Sequence, residues 1–222
     1  MKREIQLGPY EARLLGVLIE KALTTPEQYP LTLNAAVNAA NQKSNREPVL
    51  NLDEVDVAKA LASLEQKYLA RKVFPGNSRV EKYIHIGKEC LGLDASALAT
   101  LAELMMRGPQ TLGELRTHVS RMVAVDSLDR MGEILLPLMN DGYAERLPPA
   151  PGSRAERYAQ LLSPGLHPID APSGTVAETS TVVGQSRLAN LGERVEALEA
   201  EVKRLREMIE ALQPPEPVYD ED

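Results

Sequence analysis

The chain has 222 residues and a formal net charge of −7, with 43% hydrophobic and 26% charged residues. That length supports one or two domains with a real core, and no apolar run is long enough to cross a bilayer, so the composition reads as globular and not membranous. A single cysteine, Cys90, excludes an intramolecular disulfide and suits a reducing cytosol. Met1-Lys2-Arg3-Glu4 lacks a following apolar stretch, so no signal peptide is expected and the protein reads as cytoplasmic. Divided along the chain, residues 1–92 balance at +2, residues 93–162 at −2 and residues 163–222 at −7, so the acidity belongs to the tail.

Gly8-Pro9-Tyr10-Glu11 opens a first helix, with Leu14, Leu15, Leu18, Ile19 and Ala22 at helical spacing. The run Thr24 to Pro30, with two prolines, ends it. Thr32 caps a second helix from Leu33 to Gln42. Lys43 to Pro48 is a polar connector. Asp53 caps a third helix that runs to about Lys67, carrying Val57, Ala60, Leu61 and Leu64. Tyr68 to Phe74 and Val80 to Ile86 read as a hairpin turned at Gly76-Asn77. Residues 1–92 make the first domain.

Residues 93–162 repeat this plan. Asp94 caps a helix that stops at Arg107-Gly108-Pro109. Thr111 caps the next, through Leu112, Leu115 and Val119. Leu128 to Asn140 is the third, broken late by Pro137. Tyr143 to Leu147 and Glu156 to Leu162 form a second hairpin. The two wings share a pattern: Pro75-Gly76-Asn77-Ser78-Arg79-Val80-Glu81-Lys82-Tyr83 against Pro151-Gly152-Ser153-Arg154-Ala155-Glu156-Arg157-Tyr158. Upstream, an offset of 75 pairs Leu61 with Leu136, Leu64 with Met139, Tyr68 with Tyr143 and Arg71 with Arg146. Such self-similarity governs the reading of the whole fold. It predicts a mainly α, α+β chain of two tandem winged-helix domains.

Residues 163–186 are rich in Pro, Gly, Ser and Thr and read as a flexible linker. Over 187–213 the residues Leu188, Leu191, Val195, Leu198, Val202, Leu205, Ile209 and Leu212 recur at steps of three and four. β-Branched residues at a with leucine at d favour a parallel two-stranded coiled coil, and hence a homodimer. A single helix docked on its own chain is the alternative. Residues 214–222 read as an acidic disordered tail.

The sequence carries little recognisable chemistry. His85, His118 and His167 have no cysteine or histidine at metal-site spacing, and Cys90 has no nucleophile motif. No phosphate loop or nucleophile elbow is present, so no cofactor, metal or catalytic residue is expected and the protein reads as non-enzymatic. DNA is the remaining candidate ligand. Lys43, Asn45, Arg46, Lys59 and Lys67 could line the first domain, with Arg79 and Lys82 on its wing and Arg154 and Arg157 on the second. Lys43 and Arg46 are expected to be exposed, and Arg79 to be neutralised by Glu81. Against DNA stand acids opening the third helices: Asp53, Glu54 and Asp56, then Asp126 and Asp129.

The runs Thr24 to Leu31, Asn41 to Val49, Met106 to Arg116 and Gly152 to Tyr158 resemble the YceH-like family of uncharacterised bacterial proteins. The resemblance covers about residues 5–162. It implies a bacterial protein with two winged-helix domains and implies no activity. It also draws attention to the polar run Asn41, Gln42, Lys43, Asn45, Arg46 and Glu47. Two functions therefore remain: double-stranded DNA binding as a transcription regulator, or a winged-helix scaffold for other proteins that does not touch DNA.

Overall fold

A computed structural model describes residues 5–76 and 79–167, an α+β structure with small antiparallel sheets. Helix α1 spans Pro9–Thr24; Glu11 holds its start by accepting from the Gly8 N–H. A 3-10 turn, Pro26–Gln28, follows. Helix α2 spans Leu33–Ala40 with the Thr32 hydroxyl accepting from the Ala35 N–H at 3.2 Å. It stops two residues short of Gln42 because Asn41 turns aside to bond both backbone groups of Leu52, at 2.8 Å each. Helix α3 spans Glu54–Gln66 under the expected Asp53 cap. Strands β1, Ala70–Val73, and β2, Lys82–His85, form the hairpin, shorter at each end than the pattern suggested. A short helix α4, Gly87–Leu91, then leads to the second copy.

There, helix α5 spans Ala95–Arg107, strand β3 Gln110–Thr111 and helix α6 Leu112–Val119. Helix α7 spans Leu128–Asn140, and strands β4, Ala144–Leu147, and β5, Arg157–Gln160, close the copy. Pro137 lies inside α7 without ending it. It stands in the last turn on the exposed side, and its carbonyl still accepts from the Asp141 N–H at 3.0 Å. Strand β3 adds to β5, giving the order β3-β5-β4. A lone bridge between Leu31 and Tyr83 occupies the matching place in the first copy. Two residues of extended chain carry no readable period, so neither was legible beforehand.

The two copies correspond closely, but not at the register the sequence suggested. Helix α3 begins and ends 74 residues before α7, 54 to 128 and 66 to 140. The buried set Val57, Ala60, Leu61, Leu64 matches Met131, Ile134, Leu135, Leu138 at that spacing. Leu61 therefore corresponds to Leu135, not to Leu136, which is exposed. Tyr68, at φ 59, corresponds to Gly142, at φ 74, and the buried Leu69 to Tyr143. The 75-residue offset holds only after the turn: Tyr83 to Tyr158, with Ile86 bonding Leu69 as Leu161 bonds Tyr143. The wing tyrosines share the 75-residue offset, which upstream of the turn is one residue out of register with the structure.

One core runs through both copies. Helices α1 and α5 meet where Gly16 lies against α5: a Cβ there would sit 3.0 Å from Met106 and 3.3 Å from the Ala102 carbonyl oxygen. Both helices are buried on nearly every side, Glu11 to Glu20 and Ala97 to Met106. That explains their lack of a polar face. Leu7 N–H donates to the Leu162 carbonyl at 2.7 Å, tying the start of the first copy to the end of the second.

Candidate functional site

The α2–α6 offset is 79, 33 to 112, while the α3–α7 offset is 74, so the connector after α2 is five residues longer than its counterpart. This longer connector is the polar run singled out above, and its bonds are made inside the fold. Arg46, expected at the surface, is 4% exposed. Its Nη2 lies 2.6 Å from Glu20 Oε2 and also donates to the Ala39 carbonyl and Gln42 Oε1, both at 3.0 Å; Nε donates to Ala39 O at 3.2 Å and Nη1 to Asn45 O at 2.8 Å. Asn45, at φ 59, accepts from Arg107 at the end of α5. The Glu47 N–H donates to the Met106 carbonyl at 2.7 Å. Only Lys43 of the two bases is exposed. A buried guanidinium is tolerable because an opposite charge and several carbonyls replace its water.

Three charged residues that the sequence reading passed over complete this seam. Arg13, fully buried in α1, reaches Glu47 O at 3.1 Å and Pro48 O at 2.7 Å. Burial, then repulsion from Arg46, lowers its pKa to about 10, still well charged at neutral pH. Glu20 meets Arg46. Glu103, fully buried in α5, faces Arg107 Nε at 3.0 Å and Arg121 Nη2 at 3.2 Å. Burial raises the Glu103 pKa against the pull of both arginines. His118 Nδ1 lies 2.6 Å from Gln110 Oε1, while Nε2 faces Arg107 Nη1 at 3.3 Å. That network assigns the proton to Nδ1. Burial, with Arg107 and Arg121 adding repulsion, lowers the His118 pKa, so the ring is neutral near pH 7. The only forewarning was a charge set in an apolar helix face: Arg13 between Ala12 and Leu14, Glu103 between Ala102 and Leu104.

The remaining histidines are also internal. His85 lies in β2, its N–H donating to the Tyr29 hydroxyl oxygen at 2.6 Å. His167 Nε2 contacts the Glu47 carbonyl oxygen, and burial lowers its pKa to about 4. Among the described residues no three His, Cys, Asp or Glu side chains gather as a metal site.

The other candidate bases scatter. Lys67 is held by Glu11, Nζ to Oε2 at 2.6 Å, and by the Gln6 carbonyl oxygen at 2.9 Å. Lys59 stands exposed on α3, and Arg79 and Arg154 are exposed beyond the strands; Lys82 and Arg157 are half-buried at the strand ends. Glu81 pairs with Lys72 across the first hairpin at 2.9 Å, not with Arg79 as expected; Glu156 pairs with Arg146 at the matching place, at 3.2 Å. Strand alternation puts Arg71, Val73, Lys82 and Ile84 on one face of the first hairpin. Phe74 and Val80 are exposed toward its tip. The third helices present no basic face. Around α3 Asp53, Glu54 and Val55 are exposed; around α7 Asp126, Leu128, Asp129, Glu133 and Leu136 are. Dimerisation candidates Leu188, Leu191, Val195, Leu198, Val202, Leu205, Ile209 and Leu212 lie outside the described residues.

The architecture is thus a fused pair of small helix-and-hairpin units with an internal charged seam. The chain matches the family described as "Protein of unknown function, DUF480" over residues 7–156. A UPF0502 protein of Geotalea daltonii is 48% identical over 86% of this chain and 88% of its own length. A UPF0502 protein of Aeromonas hydrophila is 41% identical over 95% and 99%, and one of Hahella chejuensis 41% over 96% and 98%. The chain belongs to this DUF480, or UPF0502, family of uncharacterised bacterial proteins.

Two outcomes follow from the seam. Arg46→Met strands the Glu20 carboxylate and should lower unfolding free energy by about 3–5 kcal/mol in urea titration. Lys43→Ala should stay within about 0.5 kcal/mol; equal losses would mean that the Arg46 pair fastens nothing. His167 has a folded pKa below its unfolded value, so between pH 6.5 and about 4 the unfolded chain binds the extra proton and stability falls on acidification. Glu103 acts in the opposite sense, and His85 and His118 in the same sense. Stability measured across that window should therefore fall more steeply in the natural protein than in His167→Gln, and identical slopes would contradict the burial.

Proposed function

We propose that the protein is a tandem winged-helix module that acts as a non-enzymatic scaffold for other proteins. The winged-helix reading, which the YceH-like resemblance also implies, is supported by the order helix, extended residue or strand, helix, helix, hairpin, made twice. The scaffold reading is carried by one observation: the exposed faces of both third helices offer mainly carboxylates and apolar side chains, with one exposed base each, Lys59 and Arg130, where a DNA reader needs donors. Acids at a helix N-terminus suit its dipole, but they repel phosphate. Of the bases assigned to DNA, Arg46 is internal and Lys67 is occupied by Glu11.

A DNA-binding reading, with a role in transcription, rests on the first wing. Arg71, Arg79 and Lys82 stand there beside exposed Phe74 and Val80. With exposed Lys43, Lys59 and Arg154 and half-buried Arg157, seven bases stand against the roughly 6–10 phosphate contacts of strong binders, but they are spread over several elements of both copies. The 187–213 heptads, as a parallel homodimer, would double the number, and a cytoplasmic location accords with both readings. Among the described residues no helix is long and apolar enough to cross a membrane.

Random duplex binding, titrated from about 50 to 200 mM salt, separates the two. The scaffold reading expects weak retention with a shallow salt slope. A slope of about six or more phosphates, abolished by replacing Arg71, Arg79 and Lys82 with alanine, would overturn it in favour of DNA. Deleting 187–213 should halve the solution mass; an unchanged mass would end the dimer proposal.

A further inference from the structure

The two third helices are equivalent in structure, so each serves as a control for the other. At the 74-residue offset, Glu54, Ala58 and Ala62 of α3 correspond to Leu128, Gly132 and Leu136 of α7. Steps of four residues place each trio along one helix face. In α3 that face carries an acid and two alanines. In α7 it carries leucines that are 49% and 52% exposed, about 12 Å apart along the axis, with exposed Pro137 beside the second. The fold does not require leucine there, because the first copy folds without it.

Single exposed leucines are commonplace. The glycine between these two is not explained by the fold. Gly132 sits mid-helix, where glycine is less stable than alanine, and its φ is not in the left-handed region. A Cβ at Gly132 would meet nothing within 4 Å, so no neighbour in this chain demands bare backbone. Two leucines flanking an open backbone form a shallow saddle that another helix can approach closely.

Charge narrows what lies on it. Asp126, Asp129 and Glu133 border the saddle; of the bases beside them, Arg130 is spent on Glu133 at 2.8 Å and Arg116 reaches the Asp126 carbonyl oxygen at 3.5 Å. A second copy of this face would bring carboxylates against carboxylates. The chain's own heptad stretch, 187–212, holds five bases and six acids, so it offers no positive excess either. We propose that the exposed face of α7 is a docking site for a helix of another protein, apolar along one side and bordered by lysine or arginine. This rests on the scaffold reading and adds to it the site and the partner's chemistry.

The test uses the full chain and a synthetic 18-residue helical peptide with a leucine–alanine face and lysine borders, against the same peptide with glutamate borders. Fluorescence anisotropy should give saturable binding of the lysine peptide in the micromolar range, and at least tenfold weaker binding of the glutamate peptide. Backbone amide shifts should cluster at 128–140. Gly132→Gln and Leu136→Ser should each weaken binding at least tenfold without lowering Tm, and Gly132→Ala should raise Tm. No saturable binding, equal binding of both peptides, or indifference to Gly132→Gln would overturn the proposal. So would a change in solution mass on Leu136→Ser, which would assign the face to a second copy. If neither peptide nor duplex binds, this inference alone falls; if duplex binds with a steep salt slope, the scaffold reading falls with it.

Discussion

The placement of one buried guanidinium governs the joint between the two copies. Arg46 can leave water only where Glu20, the Ala39 carbonyl and Gln42 converge, and only if the connector after α2 is long enough to reach that point. The five extra residues supply the reach. Once Arg46 is seated, Asn45 is positioned for Arg107 and Glu47 for Met106, both on α5. The apolar contact of α1 with α5 is close at Gly16, which limits sliding. Directed bonds among buried charges limit it further, because each displaced partner leaves an unsolvated charge. The seam therefore sets how the copies meet more than how tightly.

The two copies share their apolar packing and differ in the connector after α2 and at the surface. The buried quartets of α3 and α7, the left-handed residue that follows each and the cross-strand ion pairs Lys72–Glu81 and Arg146–Glu156 all recur, at a spacing of 74 before the hairpin turn and 75 after it. The outer faces do not: α7 shows leucines where α3 shows glutamate and alanine. Internal positions answer to packing, which is the same problem twice. Exposed positions are free of that constraint, so equivalent sites can differ there without disturbing the fold.

Much of the fold was readable in one dimension. Helices α1, α3, α5, α6 and α7, with caps such as Asp53, Asp94 and Thr111, follow from apolar period and from side chains that accept from N–H groups one turn on. Both hairpins follow from alternation and turn glycines. Strand β3, the Leu31 bridge and helix α4 were missed because each is too short to carry a period. The candidate site was read least well. The connector was noticed, but Arg46 and Glu20 are 26 residues apart and nothing local distinguishes a buried arginine from a solvated one.

Sequence alone determined the type and order of the longer helices and of the two hairpins, and that their pattern recurs, since these depend on neighbours within a turn or a strand pair. Tertiary structure decided the register of the repeat, the inward turn of Arg46, the company of Glu103 and the bareness of Gly132. Each is a relation between residues brought together only when α1 packs on α5 or when a helix face is left uncovered. Burial and charge pairing are properties of such meetings, so they come into being with the packed fold.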